Sequence, residues 1–432
     1  MDFNGLSTDQ APPISAPLRF FLTAPLFGII AGILIFFSDA ASMMSRYSYE
    51  SVAVTHAITI GFLGMVMLGA LTQMLPVLAG AKIPKVLQIS RYSHALLFIG
   101  TLSMLAGILW SSPLLNTLAL VALGGGFIII LSAIALGIKS VKNFTPTIKA
   151  MSASIIFAFL IVLMGLYLLY AYITNSFSEY HHIVANVHSV WGIFGFAGIL
   201  IIGVSFQVLP MFYVAPRFKK FCKQKVLWLI TFGLLLWMFL NIFFESYSIA
   251  GKFWVALFFW AFSTTVWKKL NNRRRPLSDV TVWYWRSSSI FLTLGSFLWI
   301  FDEYFANEYT VLVSLFIGGG FILSIMIGML YKIIPFLVWF HLNAHGYMSI
   351  PTINEMINKN LARVQFALFL VSLIGFVLSF FIPVLLKFFA LTFILSMIFL
   401  QINIIAPVLI YIKTKKTKPD FDMSAFTTDN EG

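Results

Sequence analysis

The chain has 432 residues, 60% of them hydrophobic and only 10% charged, with a mean hydropathy of +0.94 and a formal net charge of +13. That apolar share is far above a soluble domain's and marks an all-α polytopic membrane protein. The positive balance does not point to nucleic acid, because the basic residues flank apolar spans; the single cysteine, Cys222, excludes an internal disulfide, a two-cysteine dinuclear copper centre and a C-x-x-C-H haem attachment.

Residues 1–17 are polar, contain Pro12 and Pro13 and carry no lysine or arginine, so they read as a disordered tail and not as a signal peptide. A helix needs about 20 apolar residues to cross a hydrocarbon core of about 30 Å. Twelve stretches qualify: roughly 20–38, 52–80, 93–110, 114–138, 151–173, 184–213, 226–244, 249–267, 287–302, 309–340, 363–382 and 386–411. Ser111-Ser112-Pro113 divides the third from the fourth, and Arg286, Asp302 and Glu303 crowd the ends of the ninth. In the loop 341–362, Thr352-Ile353-Asn354-Glu355 follows Pro351 and reads as a capping box opening a short interfacial helix. The tail 413–432 is charged and polar, and is expected to be disordered.

Charge orients these spans. With the N-terminus inside, 24 of the 28 lysines and arginines fall on inner segments, including Lys82, Lys85 and Arg91, the run from Arg217 to Lys225, and the run from Lys268 to Arg275. The outer segments hold only Arg46, Lys252 and Lys387. The alternation never breaks, which supports both the span count and cytoplasmic termini in a bacterial inner membrane. Asp39, Glu50, Glu245, Asp302 and Glu303 then form an acidic outer rim. Lys332, within a span, is expected to snorkel to the headgroups, and Gln73 and Gln207 to bond between helices.

A repeat runs through the spans. Gly69 to Pro76, Gly203 to Pro210 and Gly328 to Pro335 share one phase, and Gly61, Gly195 and Gly320 each lie fifteen residues before the proline. The period is 125 to 134 residues, or four helices, giving repeats of about 18–142, 149–270 and 281–412 within a twelve-helix domain spanning 18–412. The signature falls on helices 2, 6 and 10, all running from outside to inside and all longer than a membrane requires. Each is expected to bend or end at its proline, and the glycines to admit close neighbours.

Three arcs of four helices with helices 2, 6 and 10 in equivalent roles resemble subunit I of the haem-copper oxidase superfamily. The segments Thr55-His56-Ala57-Ile58-Thr59-Ile60-Gly61-Phe62 and Val187-His188-Ser189-Val190-Trp191-Gly192 are also similar to the membrane histidine motifs of the NnrS proteins, haem- and copper-containing proteins linked to nitric oxide tolerance. The resemblance implies that His56 stands where a low-spin haem takes an axial ligand, and His188 where a copper ligand stands. It also implies what is missing. Residues 309–335 hold no histidine pair, residues 224–246 hold none, and Gly192 occupies the position of the oxidase tyrosine. The complete oxygen-reducing site is therefore absent.

The seven histidines sort by topology. His56, His188, His181 and His182 lie toward the outer face. The first two are inside their spans, where an imidazole is costly unless used or paired, and they are the leading haem-binding candidates. His181 and His182, beside Glu179, also read as a wet loop. His341 and His345, at i and i+4 on one helix face, form an inner metal candidate with His94 as a third member; interfacial histidines are the plainer reading. Three functions compete, one of them a structural or assembly factor with no cofactor. Another is a haem b protein, with copper as a further metal, in electron transfer, nitric oxide or gas handling or respiratory metal supply, whose partners are the bilayer and electron-donor or respiratory-chain proteins. The third is a secondary transporter of a small solute or metal ion, which also favours repeats and glycine- or proline-interrupted helices, but usually two of them.

Overall fold

The computed structural model describes residues 12–81, 83–274, 279–305 and 308–421; Lys82, Arg275 and the ends 1–11 and 422–432, which figured in the charge pattern and the tails, lie outside the described residues. The described chain is all-helical. Its long helices are α1 (Ser15–Phe37), α2 (Tyr49–Leu78), α3 (Val86–Leu109), α4 (Pro113–Lys139), α5 (Pro146–Thr174), α6 (His181–Tyr213), α7 (Lys220–Phe243), α8 (Glu245–Asn271), α9 (Val280–Phe301), α10 (Thr310–Ala344), α11 (Lys359–Phe381) and α12 (Pro383–Thr414). Eleven of them are long and apolar enough to cross a membrane. The exception is α9, the helix whose ends carry Arg286 and Asp302.

Each expected span lies in one of these helices, and several extend past the apolar stretch. α3 begins seven residues before the span predicted at 93, on the turn Val86–Ser90, where Gln88 and Ser90 interrupt the apolar residues. Local chemistry sets the ends. Ser112, Thr145, Asp279 and Asn358 accept backbone N–H groups at the starts of α4, α5, α9 and α11, with proline at the first turn of α4 and α5.

The three phased helices share a further feature. α2, α6 and α10 each carry a π-helical segment, at Ala57–Gly64, Trp191–Gly198 and Leu315–Leu323. Each segment ends twelve residues before the proline of its copy. The wider turn presents a glycine to the preceding helix: a Cβ on Gly61, Gly195 or Gly320 would lie 2.3, 2.6 or 2.3 Å from the ring of Phe27, Phe157 or Phe291. Seven residues earlier on α1, α5 and α9, Phe20, Ala150 and Tyr284 press on Gly69, Gly203 and Gly328. α2 and α6 end within three residues of their prolines, before left-handed Gly80 (φ 64°) and Val214 (φ 52°), whereas α10 runs on to Ala344.

α2, α6 and α10 also enclose a central space. The residues nine before each proline, Met67, Ile201 and Met326, line it, and so do those six before, Ala70, Val204 and Met329. Equivalent positions of three copies thus meet at one axis.

Of the two tails expected to be disordered, the described parts 12–17 and 413–421 pack against the rest of the chain. Ser15 already opens α1, with Ala16 and Leu18 buried, and the Pro12 carbonyl accepts a bond from His341 Nε2 at 3.0 Å. At the other end, Asp420 accepts the N–H groups of Met348 and Ser349 at 2.7 and 2.8 Å, and Tyr347 donates to the Thr417 carbonyl at 3.0 Å. The residues that enter α1 meet the last turn of α10, and those that leave α12 meet the loop that follows it, so both lie at one end of the bundle. The capping box in that loop is half realised. Glu355 reaches back to the Thr352 N–H at 2.8 Å, but the segment closes as a turn instead of the expected helix, and α11 takes its cap from Asn358.

Candidate functional site

His56 and His188 come together. The first sits on α2 one residue before its π-helical segment, the second on α6 three residues before its own. Their ring centroids lie 6.3 Å apart, with planes inclined by 28°. Each ring is pinned by Nδ1: His56 to the Val52 carbonyl one turn earlier at 2.8 Å, and His188 across to the Ile161 carbonyl of α5 at 2.9 Å. A carbonyl only accepts, so Nδ1 carries the proton in both rings and each Nε2 keeps its lone pair. Among the described residues no hydrogen bond engages either Nε2. His188 also rests on Gly165, whose Cβ would approach its Cε1 to 3.1 Å.

Both histidines line a cavity of about 430 Å³ walled mainly by α2, α4, α5, α6, the start of α10 and α11, with single or paired residues from α1, α3 and α12. Its wall is apolar and contains Gly64, Gly165, Gly192 and Gly318; a Cβ on Gly318 would meet nothing within 4 Å. A Cβ on Gly192 would meet only Ile161 Cδ1, at 3.9 Å. One cation joins the lining: Arg46, which donates to Asn186 Oδ1 at 2.9 Å. The sequence marked Arg46 only as one of three outer bases. Its partner lies 140 residues away, so spacing gave no signal.

The donor set suits a planar metal complex. Two metal–nitrogen bonds of about 2 Å, with a ring radius at each end, put the imidazole centroids about 6 Å apart. The centroid separation here is 6.3 Å, each Nε2 keeps its lone pair, and carbonyl partners of this kind orient imidazoles that ligate metals.

The other histidine candidates do not join this site. His181 packs on Phe177 and Tyr172, its Nδ1 without a partner, and His182 is exposed; neither lines the cavity. Nor do His94, His341 and His345 converge, and among the described residues no group of three or more His, Cys, Asp or Glu side chains forms a metal cluster. His94 donates from Nε2 to Thr23 Oγ1 at 2.8 Å, since that hydroxyl gives its own proton to the Arg19 carbonyl. His341 turns one nitrogen to the Leu337 carbonyl and the other to Pro12, leaving neither free. His345 Nδ1 faces the His341 carbonyl at 2.6 Å, and Gly346 (φ 83°) ends the helix.

Further polar residues settle differently from expectation. Lys332 does not reach outward but forms an ion pair with Asp279. Asp279 in turn holds Thr281, which accepts from Tyr213 at 2.9 Å. Gln73 and Gln207, expected to bond between helices, both leave Oε1 without a partner. Of the acidic rim, Asp302 is buried and accepts Tyr309 N–H and Thr310 Oγ1, while Glu303 pairs with Lys252 and accepts from Ser248.

No family model matches the chain, and no curated protein matches it.

Proposed function

We propose that this chain is a haem-binding integral membrane protein of haem-copper oxidase-like architecture, in which His56 and His188 would hold one haem b between α2 and α6. The observation that carries this reading is the facing pair of imidazoles, 6.3 Å apart, each with Nδ1 tied to a backbone carbonyl. Bound there, the haem would supply one-electron chemistry at a potential tuned by its axial ligands. The chain's own contributions are distinct. Val52 and Ile161 fix the ring tautomers, the glycines of the wall give room for a flat ligand, and Arg46 offers a cation to its acidic groups.

The membrane reading includes α9 as a twelfth crossing. It is supported by the meeting of Pro12 and residues 417–421 at one end, which requires an even number of passes. With the basic loops inside, that end is cytoplasmic in a bacterial inner membrane, and the histidine pair lies in the outer half. The chain carries electrons or handles nitric oxide or another gas, in contact with electron-donor or respiratory-chain proteins, and is not a complete terminal oxidase. Copper is the second metal the pair admits: two imidazoles suit a copper ion, which would place the protein in respiratory metal supply. The alternative, a secondary transporter, is favoured by one observation, the second cavity stacked on the axis of α2, α6 and α10.

Haem and metal analysis of the detergent-purified full-length protein from haem-replete cells tests the reading. One haem b per chain is the expected result. Protein free of haem and copper would overturn it and put the transporter first.

A further inference from the structure

The axial cavity has no part in the haem reading, and its chemistry is specific. It measures about 100 Å³ and lies between α2, α6 and α10, with Met151 of α5 and Trp285 of α9 also in its wall. Six thioethers line it: Met67, Met74, Met151, Met211, Met326 and Met329. Almost none of its wall is polar. The carboxamide of Gln73 is 95% buried there and its Oε1 has no hydrogen-bond partner. Met67 also borders the histidine-bearing cavity, and Leu63, Ala197 and Ile322, each thirteen residues before its proline, form the floor of that cavity above the axial one.

We propose that this axial cavity is a binding site for one small, neutral, polarisable molecule of the size class of a diatomic gas, stacked beneath the histidine-bearing cavity. Exclusion and affinity both lead there. An ion would shed its hydration shell against a wall that offers almost nothing in return. A buried water needs two to four polar partners, and the wall offers at most the two unpaired atoms Gln73 Oε1 and Trp285 Nε1, the lower limit. An apolar cavity of about 150 Å³ stays dry and takes up xenon or benzene; this one is of similar kind and smaller. Thioether sulfur is soft and polarisable, so dispersion favours a polarisable guest over a saturated one of equal size. The site is built by all three repeats, because each contributes the same positions to its wall. The shared Met67 border makes the histidine-bearing cavity its nearest neighbour. The guest is thus either held in reserve beside that cavity or passed along the axis.

Xenon-pressurised crystals of the full-length protein test this independently of haem content. The expected result is an anomalous peak among Met67, Met326 and Met329. In detergent solution, xenon-129 exchange with this site should be present in the wild type and lost in Ala70→Phe and Val204→Phe, which fill the cavity from different helices. If one variant fails to fold, the other decides. Ordered water in the cavity with no xenon peak would overturn the proposal, and so would undiminished xenon exchange in a folded filled variant. A xenon peak in protein without haem would remove the haem reading and leave this one standing.

Discussion

Gly61 on α2 lies so close to Phe27 on α1 that a Cβ there would come within 2.3 Å of the ring. The contact recurs as Gly195 on Phe157 and Gly320 on Phe291, always inside a π-helical segment. A sequence repeat has become a packing repeat: each inner helix is clamped by the helix before it in the chain. Gly61→Ala, Gly195→Ala and Gly320→Ala should each destabilise the bundle by about 1–3 kcal/mol, the usual cost of overpacking. Gly318→Ala, with open space around it, should leave stability unchanged. Unfolding titrations of the purified variants would separate the two classes, and equal behaviour of Gly318→Ala and Gly320→Ala would refute the clamp.

The three clamps also predict that superposing α1–α4 on α5–α8 and α9–α12 brings Gly69, Gly203 and Gly328 into register. An experimental structure in which α2, α6 and α10 do not superpose would contradict the repeat.

A buried polar junction fastens the last repeat. Tyr284 and Tyr331 both donate to Gln365 Oε1, at 2.6 and 3.2 Å, and Gln365 Nε2 donates to Ser396 at 2.9 Å. Gln365→Leu would leave buried hydroxyls unpaired at about 1–3 kcal/mol each. The expected outcome is a marked loss of thermal stability, and a midpoint within a degree of wild type would show the junction to be dispensable.

The Asp279–Lys332 pair gives a pH signature. Burial raises the Asp279 carboxyl, but the charge of Lys332, with hydrogen bonds from Lys332, Thr281 and Val282, outweighs this and holds it below the ordinary carboxylate range. A folded-state value below the unfolded one means that the stabilisation is complete above the unfolded value, about 4. It fades as pH falls through the lower folded value. Lys332→Gln, the residue of the other two repeats, should flatten this acid limb. Because Asp279 is partly exposed, the loss at neutral pH should stay under about 1 kcal/mol. Identical acid limbs in variant and wild type would discard the pair as a contributor.

Much of the fold was legible because hydropathy and the phased glycines and prolines are local signals. The twelve helices, the special standing of α2, α6 and α10, and the burial of a histidine near the start of α2 and of α6 follow from them. The pairing of His56 with His188 did not, since it depends on α5 presenting the Ile161 carbonyl to a ring 27 residues further on. The π-helical segments left no mark beyond the glycines they contain. His341 and His345 looked like a metal pair because i and i+4 share a face, yet backbone carbonyls already hold their Nδ1 atoms and His341 Nε2. Lys332 looked like a snorkelling residue because its partner, Asp279, stands 53 residues earlier, capping the start of α9. Patterns along one helix were readable; partners between helices were not.

The two histidines should be separable by substitution. His56→Ala should abolish or shift the Soret band. His188→Ala should leave haem partly bound and convert a low-spin spectrum to a high-spin one, read by optical absorption of the purified variants. Unchanged spectra in both would exclude them as ligands.

The most direct measurement of the central claim is low-temperature electron paramagnetic resonance of the oxidised wild-type protein. Two imidazoles across one iron predict a low-spin ferric haem with a bis-histidine signature. A high-spin ferric signal, or purified protein from haem-replete cells with no haem signal at all, would contradict the account.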